Sequence, residues 1–408
     1  PNVVYSENVS TPIIRGSNSE GPHTGANAFF GGTVPRATIN LDGQYLDYNA
    51  FYFGATSAWD LGSVEVYRGP QTTSQGANAI GGAIVVNTND PTFEAGGAWR
   101  LEYGDYGQER ASFVLNGPLA TDLAGRIALD YSARDTFIDY NGAAFVKNDI
   151  GQDFENLNGR AKLLWTPADI PGLEVMLTYS RTDSTSPSAE GASPDYEDLE
   201  SVTMYMPGWH QVSDTGILDI SHDLGGVRID NKLQYTWSDI DRRTGAEGAG
   251  DADIQRGNWS NETTLTLGDA SAAFSGFAGL YMAHTEQDDR LDQRGISTFE
   301  DEKTNLGVFG EASWRFAPGW TLTGGLRYQR DEVTRTGEVS PGFASSDLDY
   351  DKTFSEVLPK ISLAYDVTPD WTVGALLSKG YNPGGVSLDF VSSRAWEEYD
   401  AETVWNYE

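Results

Sequence analysis

From Ala98 onward the chain alternates apolar and polar residues with a period of two. Between Arg126 and Arg134, Ile127, Leu129, Tyr131 and Ala133 fall on one face, and Arg126, Asp130, Ser132 and Arg134 on the other. Leu173, Val175, Leu177 and Tyr179 alternate with Glu174, Thr178 and Ser180. Trp320, Leu322, Leu326 and Tyr328 alternate with Thr321, Thr323 and Arg327, and Val357, Ile361, Leu363 and Tyr365 with Glu356, Lys360, Ser362 and Asp366. A two-residue period places one apolar face on each extended segment, so strands of about ten residues are predicted.

The connections sort by length. One set is short: Asn116–Leu123, Thr166–Gly172, His222–Gly226, Gly268–Ser271, Ala317–Gly319 and Thr368–Asp370. The other is mostly long and polar: Asp135–Asp153, Asp183–Val212, Asp241–Gly257, Gln287–Glu302 and Glu332–Lys352, with Asp105–Gly107 its brief member. Short turns at one end and long loops at the other are the mark of a transmembrane antiparallel β-barrel. A soluble sandwich alternates as well but does not sort its loops this way. Thirteen strands are predicted, plus the start of another at Trp405-Asn406-Tyr407-Glu408. Plugged transporters have about 22 strands, and open edges in lipid leave backbone groups unpaired, so the expectation is that the barrel continues past Glu408.

The first 95 residues differ. They show no helical period, only short β-like pieces at Ile13-Ile14, Ala37–Leu41, Val64–Tyr67 and Ala83–Asn87, joined by loops rich in Gly, Asn and Ser. The expected division is a small loop-rich domain over 1–95 and an incomplete barrel over 96–408. Trp165, Trp314, Phe316, Trp320, Tyr365 and Trp371 flank the short turns, where amphipathic rings settle at the lipid headgroups.

Composition narrows the function classes. The 408 residues carry 60 acidic and 27 basic side chains, a formal charge of −33, which opposes nucleic-acid binding. There is no cysteine, so neither disulfides nor thiolate metal sites are available. His23, His210, His222 and His284 show no metal-binding spacing, and no nucleophile elbow or phosphate loop occurs. The expected protein is no enzyme and holds no cofactor. No apolar run reaches the roughly 18 residues of a membrane helix, a test that β-barrels escape.

Val64 to Asn87 reads Val-Glu-Val-Tyr-Arg-Gly-Pro-Gln-Thr-Thr-Ser-Gln-Gly-Ala-Asn-Ala-Ile-Gly-Gly-Ala-Ile-Val-Val-Asn. It closely resembles the signature late in the plug domain of TonB-dependent outer-membrane receptors. Ile14-Arg15-Gly16, Asn40-Leu41-Asp42-Gly43 and the run Lys352–Gly385, ending Ser378-Lys379-Gly380-Tyr381-Asn382-Pro383-Gly384-Gly385, carry the likeness further. The chain departs from the common pattern at Thr72–Asn78, where an aromatic and an arginine are missing.

The resemblance implies an all-β barrel with an N-terminal plug in its lumen, in the bacterial outer membrane among outer-membrane lipids. It implies active import driven by TonB and its inner-membrane proton-motive complex. The expected cargo is a ferric siderophore or similar iron chelate; a carbohydrate or other small organic molecule is the alternative, and a passive porin or surface structural barrel the second. Plug arginines in the family meet barrel glutamates. This points to a latch of Arg68 with Glu408, Arg15 nearby and Glu356 facing the lumen. Ligand contacts are expected at the plug tips, from His23, Phe29, Phe30, Tyr48, Phe51, Tyr52, Phe53, Gln75 and Asn78, and from Trp209 and His210 on a long loop that could serve as a lid.

Overall fold

We describe the computed structural model of the chain over residues 3–5, 12–14, 17–18, 28–31, 36–46, 57–70, 80–269, 272–343, 345–389 and 395–408. Fourteen strands form one sheet, from Gly96–Tyr103 at one edge to Glu402–Tyr407 at the other, each antiparallel to its sequence neighbour in the sheet. The predicted parity holds. Ile127 and Leu129 are exposed to the outside, while Ala128 between them and Asp130 after them are buried within. Leu177, Tyr179, Leu326, Tyr328, Val357 and Ile361 are likewise outward and exposed. Outside means lipid, so exposed apolar side chains are here in their preferred solvent.

Rings mark the short-turn end. Trp314, Phe316, Trp320 and Tyr365 form a chain with centroid spacings of 5.6, 6.2 and 4.6 Å. Above it, the outward apolar positions Leu306 and Val308 lie on the strand Ile296–Ala317. From Leu306 to Phe316 the strand rises roughly 35 Å, which at barrel tilt covers the apolar band of about 25 Å.

The other end corrects the sequence reading. Asp241–Gly257, Gln287–Glu302 and Glu332–Lys352, expected as loops, are mostly strand. Val227–Arg243 and Ala249–Leu267 leave only a short turn, as do Phe274–Gln293 and Ile296–Ala317; Trp320–Glu338 and Leu348–Thr368 are joined by residues 339–347. These hairpins rise beyond the lipid band. There the outward face needs no apolar residues, so the hydropathy alternation fades while the backbone ladder continues. Asp183–Val212 is half loop, with strands reaching Pro187 and resuming at Gly208.

The first 95 residues carry two small sheets. One joins Val3–Tyr5, Pro12–Ile14 and Ser17–Asn18. The other has the order Gln44–Tyr45, Ala37–Leu41, Gly82–Thr88, Leu61–Arg68, with Ala37–Leu41 parallel to Gly82–Thr88. The motif residues explain its turns. Asp42 and Gly43 both have positive φ, 52° and 100°, and form the two-residue hairpin turn after Leu41. Gly82 has φ 151°, and a Cβ there would stand 2.4 Å from the Tyr67 carbonyl oxygen. The second glycine of the Gly81-Gly82 pair is therefore fixed by backbone geometry.

Candidate functional site: a sealed mouth above an ionic clamp

At the outer end, strand extensions and plug meet in one apolar cluster. It contains Phe29 and Phe30 of the short helix Ala28–Gly31, with Trp209, Ile240, Leu291, Phe299 and Phe343 from the wall and its hairpins. Phe30 is fully buried, edge-on to Phe299 at 5.7 Å and tilted against Phe343 at 4.7 Å. Trp396 closes on Phe299 from the side, at 6.2 Å. Burying two phenylalanines of one short helix contributes several kcal/mol, at about 1.5–3 each.

Arginines edge this cluster. Arg335 lies over Phe299 at 4.9 Å, Arg242 over Trp209 at 5.7 Å and Arg294 over Phe343 at 5.6 Å. Arg335 is buried; it donates to the Phe29 carbonyl oxygen and stands 3.4 Å from Asp301 and 3.8 Å from Asp289. It thus ties the plug helix to the wall. Arg242 is also buried, donates to the Gly250 carbonyl oxygen, and leaves its Nε without a partner. A buried cation with a free donor is costly unless something else completes it.

Sequence reasoning named Phe29, Phe30 and Trp209 as exposed ligand contacts. The structure brings all three together but buries them. His210 is not brought in: alternation turns it to the opposite face from Trp209, where Asp183 holds its Nε2 at 3.0 Å. His23, Tyr48, Phe51, Tyr52, Phe53, Gln75, Asn78 and Arg15 lie outside the described residues.

The anticipated latch takes another form. Arg68 and Glu408 are both exposed, and among the described residues no ion pair joins them. Glu356 is held by Lys379 at 2.9 Å. The contacts that dock the plug mostly have the reverse polarity. Asp60 accepts from Arg126 Nε at 2.9 Å and stands 3.4 Å from Arg160. Asn89 fixes the same carboxylate from within the plug at 2.9 Å. Lys162 reaches Asp90 at 2.8 Å and Asp42 at 3.5 Å, and Lys232 donates to the Asp42 carbonyl oxygen at 2.8 Å. Ser57 donates to Asp130 at 2.5 Å. The expected sense survives in Arg36, which donates to Glu402 at 3.0 Å. Alternation could have flagged Arg126, Arg160 and Lys162 as inward cations, but nothing in the sequence names their partners.

Burial alone would raise the Asp60 carboxyl, yet the hydrogen bonds from Arg126 and Asn89 hold it below the usual carboxylate range. A depressed carboxyl stabilises docking above its undocked pKa, about 3.9, and loses that contribution as pH falls through its docked value. The Asp60 contribution to docking is therefore expected to be constant from pH 8 down to about 5 and to fall below about 4. Limited proteolysis of the plug across that range checks it; weakening already near pH 6 would point to another group.

A model of the TonB-dependent receptor plug domain matches residues 3–83, and one of the TonB-dependent receptor-like β-barrel matches residues 177–408. Among curated proteins, the chain is 24% identical over 399 residues to the pesticin receptor of Yersinia enterocolitica, covering 92% of this chain and 56% of that protein. The ferrioxamine B receptor of Salmonella typhimurium is 32% identical over 103 residues, 25% of this chain and 14% of that protein. The chain thus spans about half the length of the curated relative it matches along most of its own. Among solved structures, the ferric yersiniabactin uptake receptor FyuA of Yersinia pestis superposes with a TM-score of 0.81 at 19% identity, covering 100% of this chain and 64% of that one.

Proposed function

We propose, from the premise that this chain belongs to the TonB-dependent receptor family of the bacterial outer membrane, that the whole protein actively imports a ferric chelate. The observation that carries the cargo class is the pair of arginines set on aromatic rings at the mouth with no carboxylate paired to them among the described residues, Arg242–Trp209 and Arg294–Phe343. A cation stacked on a ring favours an anionic ligand with flat or apolar surface, as many iron chelates are, over a neutral sugar. The names of the relatives, which include a ferrioxamine B receptor, support the same class. In this reading the chelate displaces Phe29 and Phe30 from the cluster. TonB and the proton-motive force then act on the plug, and a path opens by a shift between closed and open populations. Passive diffusion is opposed by the clamp, which holds the plug against the wall.

Binding separates the cargo classes. Purified full-length receptor is titrated with ferric chelates and with neutral oligosaccharides, following tryptophan fluorescence. A ferric chelate is expected to bind with micromolar or better affinity, and Arg242→Met to weaken it roughly two- to thirtyfold, by the 0.5–2 kcal/mol of a cation–ring contact. Saturable binding of a sugar with no response to any chelate would replace this reading by carbohydrate uptake.

A further inference from the structure

Directly beneath the apolar cluster, on the hairpin of Phe274–Gln293 and Ile296–Ala317, sits a buried carboxylate that the cargo reading does not use. Asp289 faces inward, while its neighbours Asp288 and Arg290 face out and are exposed, so this stretch stands above the lipid. Three members of the cluster frame it. Leu291 is the next inward residue along the strand, Phe299 lies directly across on one side and Ile254 on the other. The Asp289 side chain is 3% exposed.

Its charge is poorly matched. Gln287 donates to it at 2.9 Å, but Arg335 stands 3.8 Å off, beyond hydrogen-bond reach. The same Arg335 nitrogen, Nη2, donates to the Phe29 carbonyl oxygen of the plug helix, and its Nε is 3.4 Å from Asp301. One guanidinium is therefore divided among two carboxylates and a plug carbonyl. The other groups facing this patch are Lys303 on the Asp301 strand, Arg256 on Ala249–Leu267, and Tyr399. Tyr399 comes from the hairpin of Gly385–Leu388 and Trp396–Tyr399, which adds Val386 and Leu388 to the cluster and pairs its Glu398 with Lys352. Burial first, and the Asp301 charge second, push the Asp289 carboxyl up to about 7, against the pull of Arg335, Gln287 and Lys303.

We infer that closing the mouth is coupled to proton uptake: the sealed cluster holds the Asp289 carboxyl neutral, and opening the seal wets and ionises it. A neutral carboxyl tolerates the apolar frame of Leu291, Phe299 and Ile254, whereas a carboxylate needs the water that the closed cluster excludes. A wetted carboxyl titrates at about 3.9, so the sealed form binds the proton more tightly than the open one. Sealing is then strongest in acid, weakens as pH rises from about 4 to about 7, and levels off above. This sense is opposite to that of Asp60, whose carboxyl docking lowers. The device belongs to the mouth itself and holds whatever the cargo.

Hydrogen-exchange protection of the helix Ala28–Gly31 is measured in full-length receptor from pH 5 to pH 8.5, each rate divided by that of an unprotected amide at the same pH. Protection is expected to fall about ten- to a hundredfold over this range in the parent, with the strand Leu173–Pro187 unchanged. Asp289→Asn, neutral at every pH and close in size, is expected to keep the acid-side protection throughout. Gln287→Leu removes a donor that favours the charged form, so it is expected to move the midpoint to higher pH. An infrared difference spectrum, parent minus Asp289→Asn, is expected to show a carboxylic-acid carbonyl band at pH 5 that is lost by pH 8.5. Protection that stays flat in the parent, or falls as much in Asp289→Asn, would overturn the coupling, as would an Asp289 already ionised at pH 5. Should Asp289→Asn lose the electrophoretic mobility of the folded, unheated barrel, an unmoved midpoint in Gln287→Leu would overturn it instead. No cargo enters these measurements, so failure of ferric-chelate binding leaves them standing and the two readings fail separately.

Discussion

Replacing Asp60 by alanine is expected to turn a closed receptor into a leaking one. The Asp60 side chain is 2% exposed, and Arg126 and Arg160 beside it are 16% and 15% exposed. Removing the carboxylate strands two partly buried guanidiniums with no anion. Breaking a buried pair from one side costs about 3–5 kcal/mol, because the remaining charge is uncompensated. That raises the undocked fraction of the plug by a factor of roughly 10² to 5 × 10³. In planar bilayers the full-length Asp60→Ala protein is expected to show frequent channel openings where the parent is silent. Restoring neutrality with Arg126→Met and Arg160→Met in the same protein is expected to recover part of the docking, since no charge is then stranded. If Asp60→Ala stays as silent as the parent, Lys162 with Asp90 and Asp42 carries the docking instead.

The second large effect concerns the mouth. Phe30→Ala removes a fully buried ring that touches Phe299 and Phe343. Such truncations cost about 3–5 kcal/mol where the site cannot collapse. The wall strands are braced by their ladders, so collapse is limited here. Hydrogen exchange of the helix Ala28–Gly31 is expected to accelerate a hundredfold or more, with the strands Phe274–Gln293 and Ile296–Ala317 little changed. A double-mutant cycle of Phe30→Ala with Phe299→Ala is expected to give a coupling of about 0.5–1.5 kcal/mol, the range for an edge-on ring pair. Unchanged exchange in Phe30→Ala would mean that Arg335, through the Phe29 carbonyl, seats the helix by itself.

How much of this was legible depends on what each residue faces. In the lipid band the two faces of a strand meet opposite solvents, so Ile127 and Asp130 announce their sides and the barrel could be read directly. Above the band both faces are polar or mixed. Glu286, Asp288, Glu300 and Glu302 then look like loop residues although they lie on paired strands. The plug motif was legible because Gly82 and the Asp42-Gly43 turn are dictated by local backbone geometry. Latch partners were not. Asp60 reads as an ordinary turn residue with positive φ, and its partner Arg126 lies 66 positions away. Sequence alternation gives a side chain's direction but not its opposite number across a lumen. Phe29, Phe30 and Trp209 were legible as ring-bearing positions near the outer end, but their partners Phe299 and Phe343 were not. Their burial was not, because it depends on hairpins that polarity had assigned to loops.

One measurement bears most directly on gated import of a ferric chelate. Cells carrying the full-length receptor are given 55Fe-labelled chelates, hydroxamate and catecholate types included, with and without a proton-motive-force uncoupler. Saturable uptake of at least one chelate, abolished by the uncoupler while surface binding persists, is the predicted result. Uptake that continues undiminished with the uncoupler present, or no binding of any chelate alongside an open, ungated conductance, would contradict it.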